Sequence, residues 1–257
     1  MRSNIPKTLV DLIDHSFSQM ILKESMEIKN ELFDDHMKID AEPKRSLTIV
    51  ENYKLDVGFH LSQLFSWCQQ IVNIVHFLAA KTPNAILKKH SITSYDLVIY
   101  HIENYYIRVQ SLYDRLLNLT NSLLLLGNLP DNITHKLIVE NRFTKQSKLD
   151  IPLKKINRLI RNYLGAKRNM IVHRQGYQDD NLRELEYYCL FIDGIQIPYD
   201  DQAAMKYVKS KVKELSKKVA STSTTEFIDF NDKVFLETSS LFSTCENVYK
   251  KRVVSLL

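Results

Sequence analysis

Glycine and proline are scarce, at 5 and 6 among 257 residues. An all-β fold needs frequent turns, so this scarcity argues against one and for long helices. Cysteine is equally sparse. Cys68, Cys189 and Cys245 are odd in number and widely spaced. They exclude a disulfide framework and a C-x-x-C zinc site, and they fit buried thiols of a reducing compartment. Long apolar runs are also missing. The stretches 71-IVNIVHFLAA-80 and 123-LLLLG-127 fall short of the ~20 residues that cross a bilayer. The N-terminal segment has no apolar core followed by small residues, so no secretory signal is expected. A soluble, cytoplasmic chain without membrane contact follows. There is no glycine-rich phosphate loop, no G-x-S-x-G, and no H-x3-H or H-E-x-x-H spacing. No metal and no cofactor are therefore expected.

What remains is a chain able to fold. With 44% hydrophobic residues and 10% aromatics it can bury a substantial core. Nearly every segment follows the 3.6-residue period. The spacing predicts a helical region from Pro6 to about Lys38, then a loop around 41-AEPKRS-46. A helix over about 48–81 stops before Pro83. Next, 93-TSYD-96 offers a cap to an apolar helix lasting until Gly127, a glycine placed to end it. A shorter helix to about Phe143 and a basic loop follow. Asp150 and Pro152 then open a helix that ends at Gly176. Beyond 178-QDDN-181 a helix runs to about Gly194. The basic stretch 202-QAAMKYVKSKVKELSKKVA-220 and a last amphipathic helix are separated by 221-STSTT-225. The expected fold is all-α, a multi-helix up-and-down bundle with helical extensions at both ends. The expected parts are 1–47, 48–195 and 196–257.

Charge is unevenly spread. Eleven Lys and Arg lie between Lys136 and Arg174, against Glu140 and Asp150 alone. The whole chain carries only +5, so the remainder is net negative and the positive charge is concentrated where an anionic partner would use it. On a helical wheel, Leu153, Ile156, Leu159, Ile160, Tyr163, Leu164, Ala166, Met170 and Ile171 share one broad side. Lys154, Arg158, Arg161 and Arg168 form the opposite stripe, with Gly165 among them. A solvated face is the ordinary meaning of such a stripe. Unpaired like charges at these spacings cost stability, which an anion would relieve. Gly165 is either tolerated in the helix at about 1 kcal/mol against Ala, or it admits a close backbone or ligand.

The stretch 165-GAKRNMIVHRQGY-177 ends that helix. Asn169 and His173 are i and i+4 and lie side by side, whereas Arg168 and His173 are roughly 140° apart at ~100° per residue. An imidazole both accepts and donates protons near neutral pH. A guanidinium holds two phosphoryl oxygens at once. Metal-independent RNA cleavage needs these two groups: a base for the ribose 2′-OH and a cation for the charge that builds on phosphate. Asn169 would hydrogen-bond the phosphate or orient His173.

At R-N-M-I-V-H (168–173) the sequence resembles the HEPN superfamily, whose hallmark is Arg, four to six residues, then His, often with Asn directly after the Arg. The likeness extends over roughly residues 48–192. It implies a helical core with the motif on a late helix, and an RNA endonuclease of toxin–antitoxin, abortive-infection or CRISPR systems. It also implies a homodimer in which two motifs meet in one cleft. On that likeness Arg168 and His173 are catalytic and Asn169 supports them. Lys154, Arg158, Arg161, Lys167 and Arg174 contact RNA, and an antitoxin or defence-system protein is a possible partner. Some relatives carry a tyrosine two residues after the histidine that is chemically modified. Here Tyr177 is displaced, so that control is not expected, and Tyr177 remains a supporting candidate. A catalytically silent module that binds RNA, nucleotide or a protein is the alternative, and a scaffold with a coincidental motif is the third reading.

The other residues read as structure first. His76 and His101 sit in apolar helices and are expected to be hydrogen-bonded core groups. Glu103, Gln110 and Asp114 form a polar stripe whose plain reading is a solvated edge or a helix–helix hydrogen bond. Its functional reading has Glu103 positioning Arg168. Lys206, Lys209, Lys213 and Lys217 oppose Tyr207, Val212, Leu215 and Val219, as a solvated face does, with RNA phosphate contact second. Tyr105, Tyr106 and Tyr113 stand in apolar runs and read as core.

Overall fold

The computed structural model describes residues 5–32, 44–80, 89–90, 92–173, 179–192 and 202–257, and leaves the side chains of 166 and 168–173 undescribed. Among the described residues there are nine α-helices and no strand. In chain order they are α1 (Lys7–Ile13), α2 (Ser16–Leu32), α3 (Ile49–Ala79), α4 (Ser94–Leu124), α5 (His135–Val139), α6 (Arg142–Gln146), α7 (Asp150–His173), α8 (Asp180–Ile192) and α9 (Gln202–Leu256). The fold is an all-α helical bundle, as the scarcity of glycine and proline requires. The chain divides into two compact units, one of residues 1–69, 110–163 and 232–257, the other of 70–109 and 164–231.

Local chemistry starts the long helices where the sequence places them. Thr48 Oγ1 accepts from the Glu51 amide at 3.2 Å while Glu51 Oε2 accepts from the Thr48 amide at 2.8 Å, a reciprocal cap. Arg45 adds both prongs of its fork to Glu51, at 2.8 and 2.6 Å, and draws that carboxyl down to about 2. Thr93 and Asp96 repeat the device at α4, at 3.0 and 2.8 Å.

The far end of α4 departs from expectation. The helix stops at Leu124, and Leu125 takes the left-handed conformation (φ 53°) that Gly127 was expected to supply. The Leu126 and Leu125 amides donate back to Asn121 and Ser122 at 3.0 and 3.1 Å, the two bonds of a Schellman ending. Gly127 is left-handed too, at φ 70°, but it stands two residues past this turn. Leu123 O accepts from Tyr53 and Leu124 O from Arg252, which fixes the helix end three residues before Gly127.

Three other expectations change. The first helical region breaks at Asp14 and His15 into α1 and α2. The single short helix to Phe143 is two helices, because Thr134 caps one and Asn141 caps the next, the latter accepting from Phe143 N at 2.8 Å. The Ser/Thr cluster 221–225 does not interrupt the chain: α9 is continuous for 55 residues. Ser221 and Thr225 turn their hydroxyls back onto the Lys218 and Ser221 carbonyls of their own helix, so they start no new cap. The expected helix end near Lys38, residues 41–43 of the loop, and the stops at Pro83, Gly176 and Gly194 lie outside the described residues.

In the first unit the core joins α1–α7 to the end of α9. Phe17, Phe242 and Tyr249 meet edge to face, and Tyr53 stacks on Tyr249 with centroids 5.5 Å apart. Tyr249 is buried but donates to Glu24 at 2.6 Å, so its hydroxyl is satisfied. At Gly58 α2 approaches α3 so closely that a Cβ would lie 2.1 Å from Ser25 Oγ and 3.0 Å from Ser25 Cβ. In the second unit Tyr105 lies flat on Phe227, centroids 3.6 Å apart, and donates to Asn231 at 2.8 Å. Leu185 and Cys189 of α8 pack with Val212 and Leu215 of α9. All three cysteines are free and buried, and burial pushes the Cys68 thiol up to about 12.

Candidate active site

α7 begins as the wheel requires. Leu153, Ile156, Ile160 and Leu164 are buried, Leu159 and Tyr163 half-buried, and Lys154, Arg158 and Arg161 exposed. The stripe is less bare of carboxylates than the sequence implies. Lys154 pairs with Asp150 one turn earlier at 2.7 Å, and neighbouring Lys155 pairs with Glu237 of α9 at 2.8 Å.

The wheel does not carry through to Arg168. Gly165 has φ 43° and ψ −125°, a non-helical backbone that L residues rarely adopt, so α7 is kinked there. Among the described residues nothing lies within 4 Å of where its Cβ would be, so no described neighbour calls for glycine. The reason is conformational. The single continuous stripe of Lys154, Arg158, Arg161 and Arg168 is therefore corrected to two helical segments, one before Gly165 and one after it.

The second segment carries the motif. Its backbone is helical through His173, so Asn169 and His173 keep their i, i+4 relation and Arg168 stands five residues from His173. The side chains of Arg168, Asn169 and His173, and all of Arg174 and Tyr177, lie outside the described residues. Lys167 anchors this segment. Its ammonium lies 2.5 Å from Glu226 Oε1 and 5.0 Å from the centre of the buried Tyr106 ring. The expected RNA contact is thus engaged by its own unit through a charge-assisted bond and a cation–π contact. Glu103 is half-buried on α4, in the same unit as the motif.

Sequence reasoning missed one imidazole. His135, at the start of α5, lies 2.6 Å through Nδ1 from the hydroxyl of buried Tyr113. Burial first, then the charges of Arg161 and Lys154, hold His135 below its ordinary range. Thr134 ahead of it was the available signal, a cap that fixes where α5 starts. The two histidines expected in the core behave otherwise. His76 is exposed, and the buried Nδ1 of His101 has no hydrogen-bond partner among the described residues, so burial lowers its proton affinity. Tyr105, Tyr106 and Tyr113 are buried, as their apolar surroundings imply. On α9, Lys206, Lys209, Lys213 and Lys217 are exposed, but Tyr207 is 56% exposed and Val208 takes its place in the core.

A helical bundle with this late helix defines the class, and a family comparison defines the membership. A family model described as HEPN_Cthe2314-like HEPN matches residues 58–231, more than half of the chain. The protein belongs to this HEPN family. The match contains the whole of α4 to α8 and therefore Arg168, Asn169 and His173. No curated protein and no solved structure matches the chain. Among the described residues, no helix is long and apolar enough to cross a membrane.

Proposed function

We propose that this protein is a metal-independent endoribonuclease of HEPN type, acting as a homodimer in prokaryotic defence, a toxin–antitoxin pair or a stress response. The observation that carries the reading is the R-N-M-I-V-H segment on a helical backbone inside the matched HEPN region. His173 takes the proton from a ribose 2′-OH, and the freed oxygen attacks the adjacent phosphorus. The 5′-oxygen leaves with a proton, giving a 2′,3′-cyclic phosphate and a 5′-hydroxyl. Arg168 neutralises the charge that grows on the non-bridging oxygens. Asn169, one turn before His173, orients the imidazole or the phosphate. A symmetry-related copy of the motif would supply the second imidazole for the leaving group. Lys154, Arg158, Arg161 and Arg174 hold the RNA backbone electrostatically. Lys167 positions the segment through Glu226, and Glu103 and Tyr177 are supporting candidates. An antitoxin or other defence protein is the implied partner.

The test is purified protein with total RNA in EDTA, beside His173→Ala and Arg168→Ala. Each variant is expected to lose cleavage by about 10²-fold or more, in the range of a lost general base or charge stabiliser. Salt-sensitive RNA binding without cleavage, surviving His173→Ala, would replace the enzyme with a silent RNA-binding module. Absence of both would leave only the helical scaffold.

A further inference from the structure

Two cavities lined by described residues of the first unit have opposite character. One, of about 550 Å³, is lined by Glu24, Glu27, Glu31 and Glu51, with Lys54 as the one lysine or arginine among its described residues. The other, of about 820 Å³, is lined by Lys148, Lys251 and Arg252 and, among the described residues, by no carboxylate. Ser147, Ser243 and Asn247 add hydroxyl and amide groups to its wall, and the ring of Phe143, 47% exposed, supplies apolar surface.

The cavity's lysines, Lys148 and Lys251, form no ion pair with a described carboxylate, unlike Lys250 but like the neighbouring Lys145. Two features set this cavity apart from an ordinary basic surface. Lys148 holds a left-handed backbone at φ 61°, where glycine is the usual choice. The ending of α6 is a Schellman turn, with Leu149 N donating to Thr144 O at 3.1 Å, so a costly residue is kept where a cheap one fits. Arg252 donates one N–H to Leu124 O at 3.1 Å, which fixes its stem while a guanidinium keeps further donors. Concave walls focus the field of three cations into the space between them. Its size is that of a small-molecule site.

We propose that this cavity binds a small phosphorylated ligand carrying a ring, with the phosphate between Lys148, Lys251 and Arg252 and the ring against Phe143. The site is a feature of this chain: its Ser243–Ser255 wall lies beyond residue 231, where the HEPN match ends. It does not depend on the nuclease reading, because none of its residues belongs to the motif.

Calorimetric titration of the full chain with AMP, ATP, inorganic phosphate and adenosine tests it. The controls are Lys251→Glu, Phe143→Ala, Lys209→Glu and His173→Ala, each checked for unchanged melting. AMP or ATP is expected to bind below about 1 mM, more tightly than phosphate, and adenosine not at all. Lys251→Glu should weaken binding at least tenfold, Phe143→Ala severalfold, and the other two should leave it unchanged. No binding of either nucleotide, adenosine binding as well as AMP, or equal loss in Lys209→Glu would overturn the proposal. Loss in His173→Ala with none in Lys251→Glu would also overturn it, and would move the nucleotide to the RNA-cleaving site.

Discussion

Before Gly165, α7 shows Lys154, Arg158 and Arg161 to solvent over a face of Leu153, Ile156 and Ile160 that is fully buried in the first unit. After Gly165, the same helix enters the second unit, where its cation Lys167 is half-buried against Glu226 and the Tyr106 ring. One run of positive charge along the sequence thus has two uses. The first segment displays charge that an anion can reach, and the second employs charge to hold the motif in place. A count of lysines and arginines does not separate the two; burial and partners do.

The largest effect that sharpens this contrast is in the second unit's core. Phe227→Ala removes the ring on which Tyr105 lies and should cost about 3–5 kcal/mol. Chemical denaturation reads it, and a cost below about 1 kcal/mol would mean the Tyr105–Phe227 stack is not a core element. Gly165→Ala comes next. No described residue stands in its way, and the backbone conformation penalises it by about 1–3 kcal/mol. A stability gain would show that the kink is dispensable and the helix prefers to be straight.

Lys167→Ala and Arg158→Ala should then separate the two segments directly. The first loses a contact 28% and 38% exposed on its two sides, so the stability cost is about 1 kcal/mol at most, discounted for screening. The second should leave melting unchanged, weaken RNA binding and lower the salt slope by ~0.7. Equal effects of both on RNA affinity with no difference in melting would erase the distinction.

The smallest effect is in acid. His135, His60 and His101 all have lowered proton affinity in the folded chain, chiefly through burial. The unfolded chain then binds more protons, so the contribution is complete above about pH 6.5 and is lost as pH falls through the lower folded values. His135→Gln should flatten that slope. A wild-type stability that rises on acidification from pH 7 to 5.5 would contradict the assignment.

Much of this architecture is readable from the residues. The Thr48–Glu51 and Thr93–Asp96 pairs announce the starts of α3 and α4, and the apolar side of 153–164 is buried as its period demands. Legibility fails where a tertiary partner replaces a local signal. Tyr53 and Arg252 end α4 before its glycine, and the hydroxyls of Ser221 and Thr225 serve a continuous helix although their composition reads as a linker. Gly165 was marked by sequence, but its positive φ has no local signature in a run of good helix formers. At the site, Arg168, Asn169 and His173 are legible as a spacing. The tethering of Lys167 and the Tyr113–His135 bond depend on residues 59 and 22 positions away and are not.

In the proposed mechanism Arg168 and His173 direct a ribose 2′-oxygen onto its own phosphate. The most direct measurement is end-group analysis of RNA cut in EDTA, with a matched substrate carrying a 2′-deoxy sugar at the cleaved position. Wild type is expected to give 2′,3′-cyclic phosphate and 5′-hydroxyl ends, with no cut at the deoxy position and no product from His173→Ala. Cleavage at the deoxy position, or 5′-phosphate ends, would contradict it.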